Sequence, residues 1–488
     1  MISLKALFKS SLIYTVGSSI MRIMTFLLLP LYTNVLDSNG QEWYGNYVLI
    51  VTTIAFLRIC YSHGVGDSFL KLYSQSNYQK EIISTYLIYV LCVITGVSSL
   101  LWLFGSFVSL QNTTSLLGLL HSQIKYIILI VMCDTINYRI IDILRIKNYA
   151  LYYMFGQISG IITTLYLAMF FVKNQLMGLE GALLALLYGS IVMLIIFSPV
   201  LIKNISLNSF SKTYLKKMLS LGVRFFPAAL FFMFMSLIDR YLLKLLIISP
   251  INNPEYVNNL IGTYSVGAKF ASIPLFLISA FNLGWQPFYL SNGNNKSAIR
   301  KYEKIGTIFS IVILSISWFV AIVIPLVSNV KLPFLNIPLI GPTYSGFIEI
   351  IPIILISHIC YGFYIINMPS IYLCDKQNWS PIFRVFGAFT NIILNIILIP
   401  IYEMKGAAIA TALSYGLMFL FLFYKNQQWM PINLVWIDII LLAITITVSI
   451  VCFILNLNMK YYIMVITLLG ILYLLYKHGL KNLILLFK

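Results

Sequence analysis

Charge is scarce in this chain. Only 9% of its 488 residues are Asp, Glu, Lys or Arg, 60% are hydrophobic, and the mean hydropathy is +0.92. Soluble globular domains carry about 25% charged residues, so that class is excluded and a polytopic membrane protein remains. Acids are scarcer than bases, 14 against 32, for a net charge of +18. In a soluble chain such a surplus points to nucleic acid; here most Lys and Arg fall in short loops at alternate ends of apolar runs, so the charge is first of all topological. Cys60, Cys92, Cys133, Cys360, Cys374 and Cys452 include no CxxC pair, and no His stands at metal-ligand spacing. They are expected to pack as small apolar residues, with no metal and no cofactor. There is no His-Glu-x-x-His, no Gly-x-Ser-x-Gly and no Asp-x-Asp, which leaves the common hydrolytic and glycosyl-transfer chemistries without their groups. Long polar segments are missing too: no loop exceeds about 20 residues, the length of one membrane crossing. Function must therefore reside in the helices.

What the chain does have is a succession of apolar stretches long enough to cross a bilayer, at about 20 residues per crossing. About fourteen are expected, making an all-α fold: 12–36, 44–68, 83–107, 123–146, 149–172, 180–202, 219–247, 260–289, 305–328, 346–373, 381–401, 406–425, 433–455 and 460–478. The basic start, Met1 to Lys9, runs into the first stretch without a small-residue cleavage site, so a retained first span is expected. One alternate set of loops, with both termini, holds about nineteen Lys and Arg and the other about five. By the positive-inside rule the first set, and both termini, are cytoplasmic.

The chain also looks duplicated. Gly45-Asn46-Tyr47 and Gly262-Thr263-Tyr264 open the second and eighth spans; Glu180-Gly181-Ala182 and Lys405-Gly406-Ala407 open the sixth and twelfth. The offsets, about 217 and about 225 residues, nearly agree. Two six-helix lobes are expected, 1–203 and 204–426, followed by two extra helices in 427–488. With an even number of helices per lobe the repeat is parallel, about a pseudo-twofold axis along the membrane normal.

Within this frame the polar residues inside spans are informative, because a charge at the centre of a helix costs roughly 2.5–3.5 kcal/mol on insertion scales and so faces a bundle interior or a wet cavity. Three helices carry a polar strip centred on a cation: Thr15, Ser19, Arg22 and Thr25; Tyr47, Arg58 and Ser62; Ser265, Lys269, Ser272 and Ser279. The alternative for each cation is a buried ion pair, with Asp134 or Asp239 as partner, which would also serve as a gate. Asp134, Tyr138 and Asp142 share a face, with Arg139 placed to pair with Asp142. Lys244 is free to snorkel. Arg384, Asn391 and Asn395 share a face where interhelical packing is the first expectation and cavity lining the second. His358 is expected to be a bonded interior residue. Gly262 to Lys269 has the glycines of a phosphate loop, but the Lys is displaced and Phe270 follows it, so nucleotide hydrolysis is not indicated.

Five segments carry a family resemblance. They are Arg22 through Pro30 to Gly45-Asn46-Tyr47; Leu221-Gly222-Val223-Arg224-Phe225-Phe226-Pro227 leading to Asp239-Arg240; Gly262-Thr263-Tyr264-Ser265-Val266 with Trp285-Gln286-Pro287-Phe288; Gly341-Pro342-Thr343-Tyr344; and Asn391 to Asn395 with Ile399-Pro400 and Gly406-Ala407-Ala408. In this order they resemble the Wzx-type polysaccharide exporters (O-antigen and capsule repeat-unit flippases), in the MOP superfamily that also holds MATE exporters and MurJ-type lipid II flippases. Glu403 and Lys405 depart from the pattern, as does the longer loop Ser249 to Asn259. The resemblance implies an alternating-access transporter of the bacterial inner membrane, moving undecaprenyl-pyrophosphate-linked oligosaccharide to the outer leaflet, with a glycan polymerase and chain-length machinery as further partners. It implies a cationic cavity with Arg22, Arg58 and Lys269 foremost and Arg240 and Arg384 next, and Asp134, Asp239 and Asp67 as candidates for ion coupling or gating. A lipid II flippase shares this anionic logic. A MATE-type cation antiporter would rely on those few acids, and a membrane-embedded glycan polymerase would need an outer loop that the chain lacks.

Overall fold

A computed structural model describes residues 26–36, 42–76, 78–107, 116–147, 149–248, 250, 255–332 and 336–480. Among them the backbone is helical, and the one β-bridge is an isolated pairing of Lys331 with Pro338. This is what a bilayer demands: with no water to satisfy N–H and C=O groups, each span must bond internally. The helices are α1 (26–34), α2 (Tyr44–Ser62), α3 (Val65–Gln75), α4 (Gln79–Phe107), α5 (Leu116–Ser122), α6 (Ile124–Ile146), α7 (Ala150–Ala168), α8 (Gly178–Asn204), α9 (Lys212–Leu246), α10 (Tyr256–Ala271), α11 (Ile273–Asn292), α12 (Lys296–Val327), α13 (Phe347–Ile366), α14 (Pro369–Leu373), α15 (Trp379–Trp429), α16 (Trp436–Ile454) and α17 (Lys460–Leu475). Nine helices among the described residues are long and apolar enough to cross a membrane, and the bent pair α10 and α11 makes a tenth. From the second stretch to the last, every expected span coincides with a helix or a broken helix. The protein is a multi-pass membrane protein, and large apolar side chains such as Leu151, Tyr166, Ile437 and Tyr462 lie exposed on faces suited to lipid.

Breaks in the helices have local causes. His63 and Gly64, at φ 28° and 77°, separate α2 from α3. Pro274 at the start of α11 follows a 42° bend. Pro369 starts α14. Helix α15 is two spans in one: Glu403, at φ 50° and ψ −127°, reverses the chain, and a Cβ at Gly406 would overlap the Leu398 carbonyl, so glycine permits the tight return. The departure at Lys405 has a partner, since its ammonium pairs with Glu349 at the start of α13.

By packing, the chain divides into two compact units, 1–262 and 263–488. In the first, α2 and α8 pack against α6, α7 packs against α8, and α9 against α2, α3 and α4. Small residues set the close crossings. A Cβ at Gly160 would stand 3.0 Å from the Gly189 carbonyl between α7 and α8, and one at Gly222 of α9 would stand 3.2 Å from the His63 carbonyl. In the second unit α13 packs on α12 and α15, and Trp285 Nε1 donates to the Ile365 carbonyl at 3.2 Å. The last two helices are tied in by polar contacts. Trp318 Nε1 of α12 donates to Ser449 Oγ at 3.0 Å, and Asp438 of α16 accepts from Lys477 Nζ and His478 Nε2 at 2.7 and 2.6 Å. A buried amide network, Asn426 to Asn367 at 2.8 Å with Ser370 bonded to Asn426, holds α13, α14 and α15 together.

Candidate functional site

The polar strip of α2 meets α6 and α8 at Arg58. Its Nη1 lies 3.8 Å from Asp134 Oδ2, and its guanidinium sits 4.4 Å from the centre of the Tyr138 ring. Asp134 is fixed from the other side: Ser190 Oγ donates to its Oδ1 at 2.7 Å, and Asn137 Nδ2 donates to the Ser190 carbonyl at 2.9 Å. Of the two acids left open as partners, Asp134 is the one beside Arg58. The contact exceeds hydrogen-bond length, and among the described residues Arg58 makes no hydrogen bond, while its side chain is 33% exposed. An ion-paired guanidinium stacked on a ring, with its N–H donors unbonded, can still receive an oxyanion in the two-pronged manner that suits phosphate.

A second cluster one helical turn or more along α6 has a different character. Arg139 Nη1 is 3.2 Å from Asp142 Oδ2, Tyr86 donates to that carboxylate at 2.7 Å, and Arg139 donates to the Tyr86 oxygen at 2.8 Å. Phe69 stacks on Tyr86 at 4.2 Å. Both charges are nearly buried, at 11% and 13% exposure, and they neutralise each other. This is the internal pair expected from the spacing, and it binds α3, α4 and α6 as structure.

The other residues singled out by sequence are distributed. Arg22 lies outside the described residues, and so does the side chain of Asp67, whose backbone belongs to α3. Arg240 of α9 donates to the Ser236 carbonyl at 3.0 Å, and its neighbour Asp239 is buried. Lys244 donates to Asn258 Oδ1 at 2.8 Å. In the second unit Lys269 is half-buried in the last turn of α10, where its carbonyl accepts from Ser272 Oγ at 2.7 Å. Arg384 lies close enough to the Tyr361 and Tyr364 phenols to act on both electrostatically. Asn395 donates to the Asn391 carbonyl at 2.8 Å and Asn391 to Thr411 at 3.3 Å, so these amides serve packing. His358 differs from its expectation: among the described residues its Nδ1 is buried without a hydrogen bond.

Sequence reading missed Ser190 and Tyr86. A serine in an apolar helix and a tyrosine in another leave no local signal, because their roles depend on which faces meet across helices. It also missed the joint at His63, whose Nε2 lies 2.5 Å from the Tyr89 hydroxyl.

No curated protein sequence compared with the chain matches it. Solved structures do. The lipid II flippase MurJ in an inward closed conformation superposes with a TM-score of 0.64 at 15% identity, covering 95% of this chain and 98% of that one. An inward-facing multidrug resistance MATE family transporter of the MOP superfamily gives 0.56 at 14% identity over 85% and 93% of the two chains. The Vibrio cholerae MATE transporter VcmN, in its bent form, gives 0.54 at 12% over 87% and 96%. These likenesses show a MurJ- and MATE-like transporter fold. A family model described as polysaccharide biosynthesis protein matches residues 7–288, more than half of the sequence, and the chain belongs to that family.

Proposed function

We propose that the protein is a flippase that carries an undecaprenyl-pyrophosphate-linked oligosaccharide from the cytoplasmic to the outer leaflet of a bacterial inner membrane. The observation that carries this reading is Arg58: a membrane-embedded guanidinium, partly exposed, whose hydrogen-bond donors are unused among the described residues. A pyrophosphate entering a low-dielectric core loses hydration worth far more than a neutral group's, and fixed cations replace it. Arg22, Lys269, Arg240 and Arg384 are proposed as the further cations that the substrate meets, and lobes 1–203 and 204–426 are proposed as the elements that alternate access. Asp134 is proposed as the gate partner that Arg58 exchanges for phosphate, with Asp239 and Asp67 as further coupling acids. Both termini are proposed to lie in the cytoplasm, and a glycan polymerase with its chain-length machinery is the proposed consumer of the flipped unit.

One other reading has an observation in its favour. The MurJ likeness covers 95% of this chain at a TM-score of 0.64, above the MATE values, which suits a peptidoglycan precursor as cargo. Depleting the protein and identifying the lipid-linked intermediate that accumulates in the inner leaflet decides between them. A glycan repeat unit on a polyprenyl pyrophosphate supports the proposal; accumulated lipid II supports the other reading; neither accumulating refutes both.

A further inference from the structure

The first three turns of α9 present a face that this transport reading does not use. Lys212, Leu215, Lys216, Leu219, Ser220 and Val223 line an open cavity of about 580 Å³. At about 100° per residue these six positions fall within an arc of about 140°. Met218 and Gly222, which flank the Leu215 edge of that arc, are buried against the unit. Lys212, Lys216, Ser220 and Val223 lie on the exposed side of the helix, with Leu215 and Leu219 half-buried between them and that edge. Val223 is 61% exposed, and Lys212 and Lys216 are exposed as well.

The order of residues along the axis gives this face its chemistry. Lys212 and Lys216 stand one turn apart at the start of the helix, within the basic 203–217 segment. Leu215 lies between them, and Leu219 and Val223 continue from it at four-residue spacing. Lys212 and Val223 are about 16 Å apart along the axis, at about 1.5 Å per residue. A phospholipid whose phosphate meets the exposed Lys212 and Lys216, with an acyl chain running on along Leu219 and Val223, matches that sequence of groups in charge and direction. The site has lysines where a pyrophosphate would favour the two-pronged guanidinium, so a single phosphodiester is the better fit.

We infer that this face of α9 is a binding site for an anionic phospholipid of the leaflet that meets the 203–217 loop. Lys217 supplies an internal control, since it lies off the lining face and stacks on Tyr214 at 5.7 Å.

The test is native mass spectrometry of the full-length protein, counting retained phosphatidylglycerol and phosphatidylcholine in the wild type, the double variant K212A/K216A and the control K217A. Polybasic attraction to anionic lipid is worth on the order of a factor of five per lysine. The double variant is therefore expected to lose phosphatidylglycerol retention roughly tenfold or more, with phosphatidylcholine unchanged and K217A like wild type. A second variant, L219S, is expected to weaken phosphatidylglycerol without removing charge. Unchanged retention in K212A/K216A overturns the inference, as does an equal loss in K217A, which would mean only general surface charge. Displacement of the lipid by millimolar inorganic phosphate, or tighter retention of a polyprenyl phosphate than of phosphatidylglycerol, also overturns it by naming a different occupant.

Discussion

Asp134→Asn separates a binding role for Arg58 from a structural one. The change is nearly isosteric, and Asn retains an oxygen to accept the Ser190 hydroxyl, which now reaches Asp134 Oδ1 at 2.7 Å. What it removes is the charge 3.8 Å from Arg58. Two unit charges at that distance attract by about 4 kcal/mol at an effective dielectric of about 20. Because the Arg58 side chain is 33% exposed and the contact is longer than a hydrogen bond, solvent screens most of this. About 1 kcal/mol is a reasonable remainder, or a factor of about five in an equilibrium constant. If Arg58 exchanges Asp134 for substrate phosphate, Asp134→Asn frees the guanidinium and pyrophosphate binds the purified protein about fivefold more tightly, with little change in Tm. Transport should fall, because release is then impaired. If the pair is structural, the lone cation destabilises the fold and binding does not improve. A Tm drop of several degrees with unchanged pyrophosphate affinity by calorimetry would refute the exchange.

Arg58→Lys preserves charge but not the planar fork, so export of surface glycan should be impaired in a well-expressed variant; full export would show that only the field matters. Arg139→Ala strands the nearly buried Asp142 carboxylate, a loss of about 3–5 kcal/mol for a broken buried pair, read as a large Tm drop or failed expression; a Tm within a degree of wild type would contradict the structural role. Gly222→Ala places a Cβ 3.2 Å from backbone of the α2–α3 joint, which a main chain relieves poorly, and should destabilise the first unit, whereas the same change at Gly96, with open space around it, should be silent by Tm. Glu349→Gln, in a pair with both side chains half exposed, should shift stability by less than about 1 kcal/mol, checked in the same thermal assay.

Hydropathy and charge placement were enough, by sequence alone, to determine an all-helical multi-pass protein and the near-correct place of the spans from the second to the last, because a bilayer penalises unbonded backbone and misplaced charge residue by residue. The pairing of Arg139 with Asp142 was legible for a similar reason: both lie on one helix, where spacing fixes geometry. Segment order also carried the family. Tertiary structure decided what depends on how one helix is turned against another. It chose Asp134 over Asp239 beside Arg58, brought Ser190 of α8 to that carboxylate, and set Tyr86 of α4 between Arg139 and Asp142. It gave Lys244 a partner in Asn258, and left His358 Nδ1 without one among the described residues where sequence expected a bond. Rotation about a helix axis changes no hydropathy sum, so a sequence read span by span shows that a buried cation needs company and not which neighbour provides it.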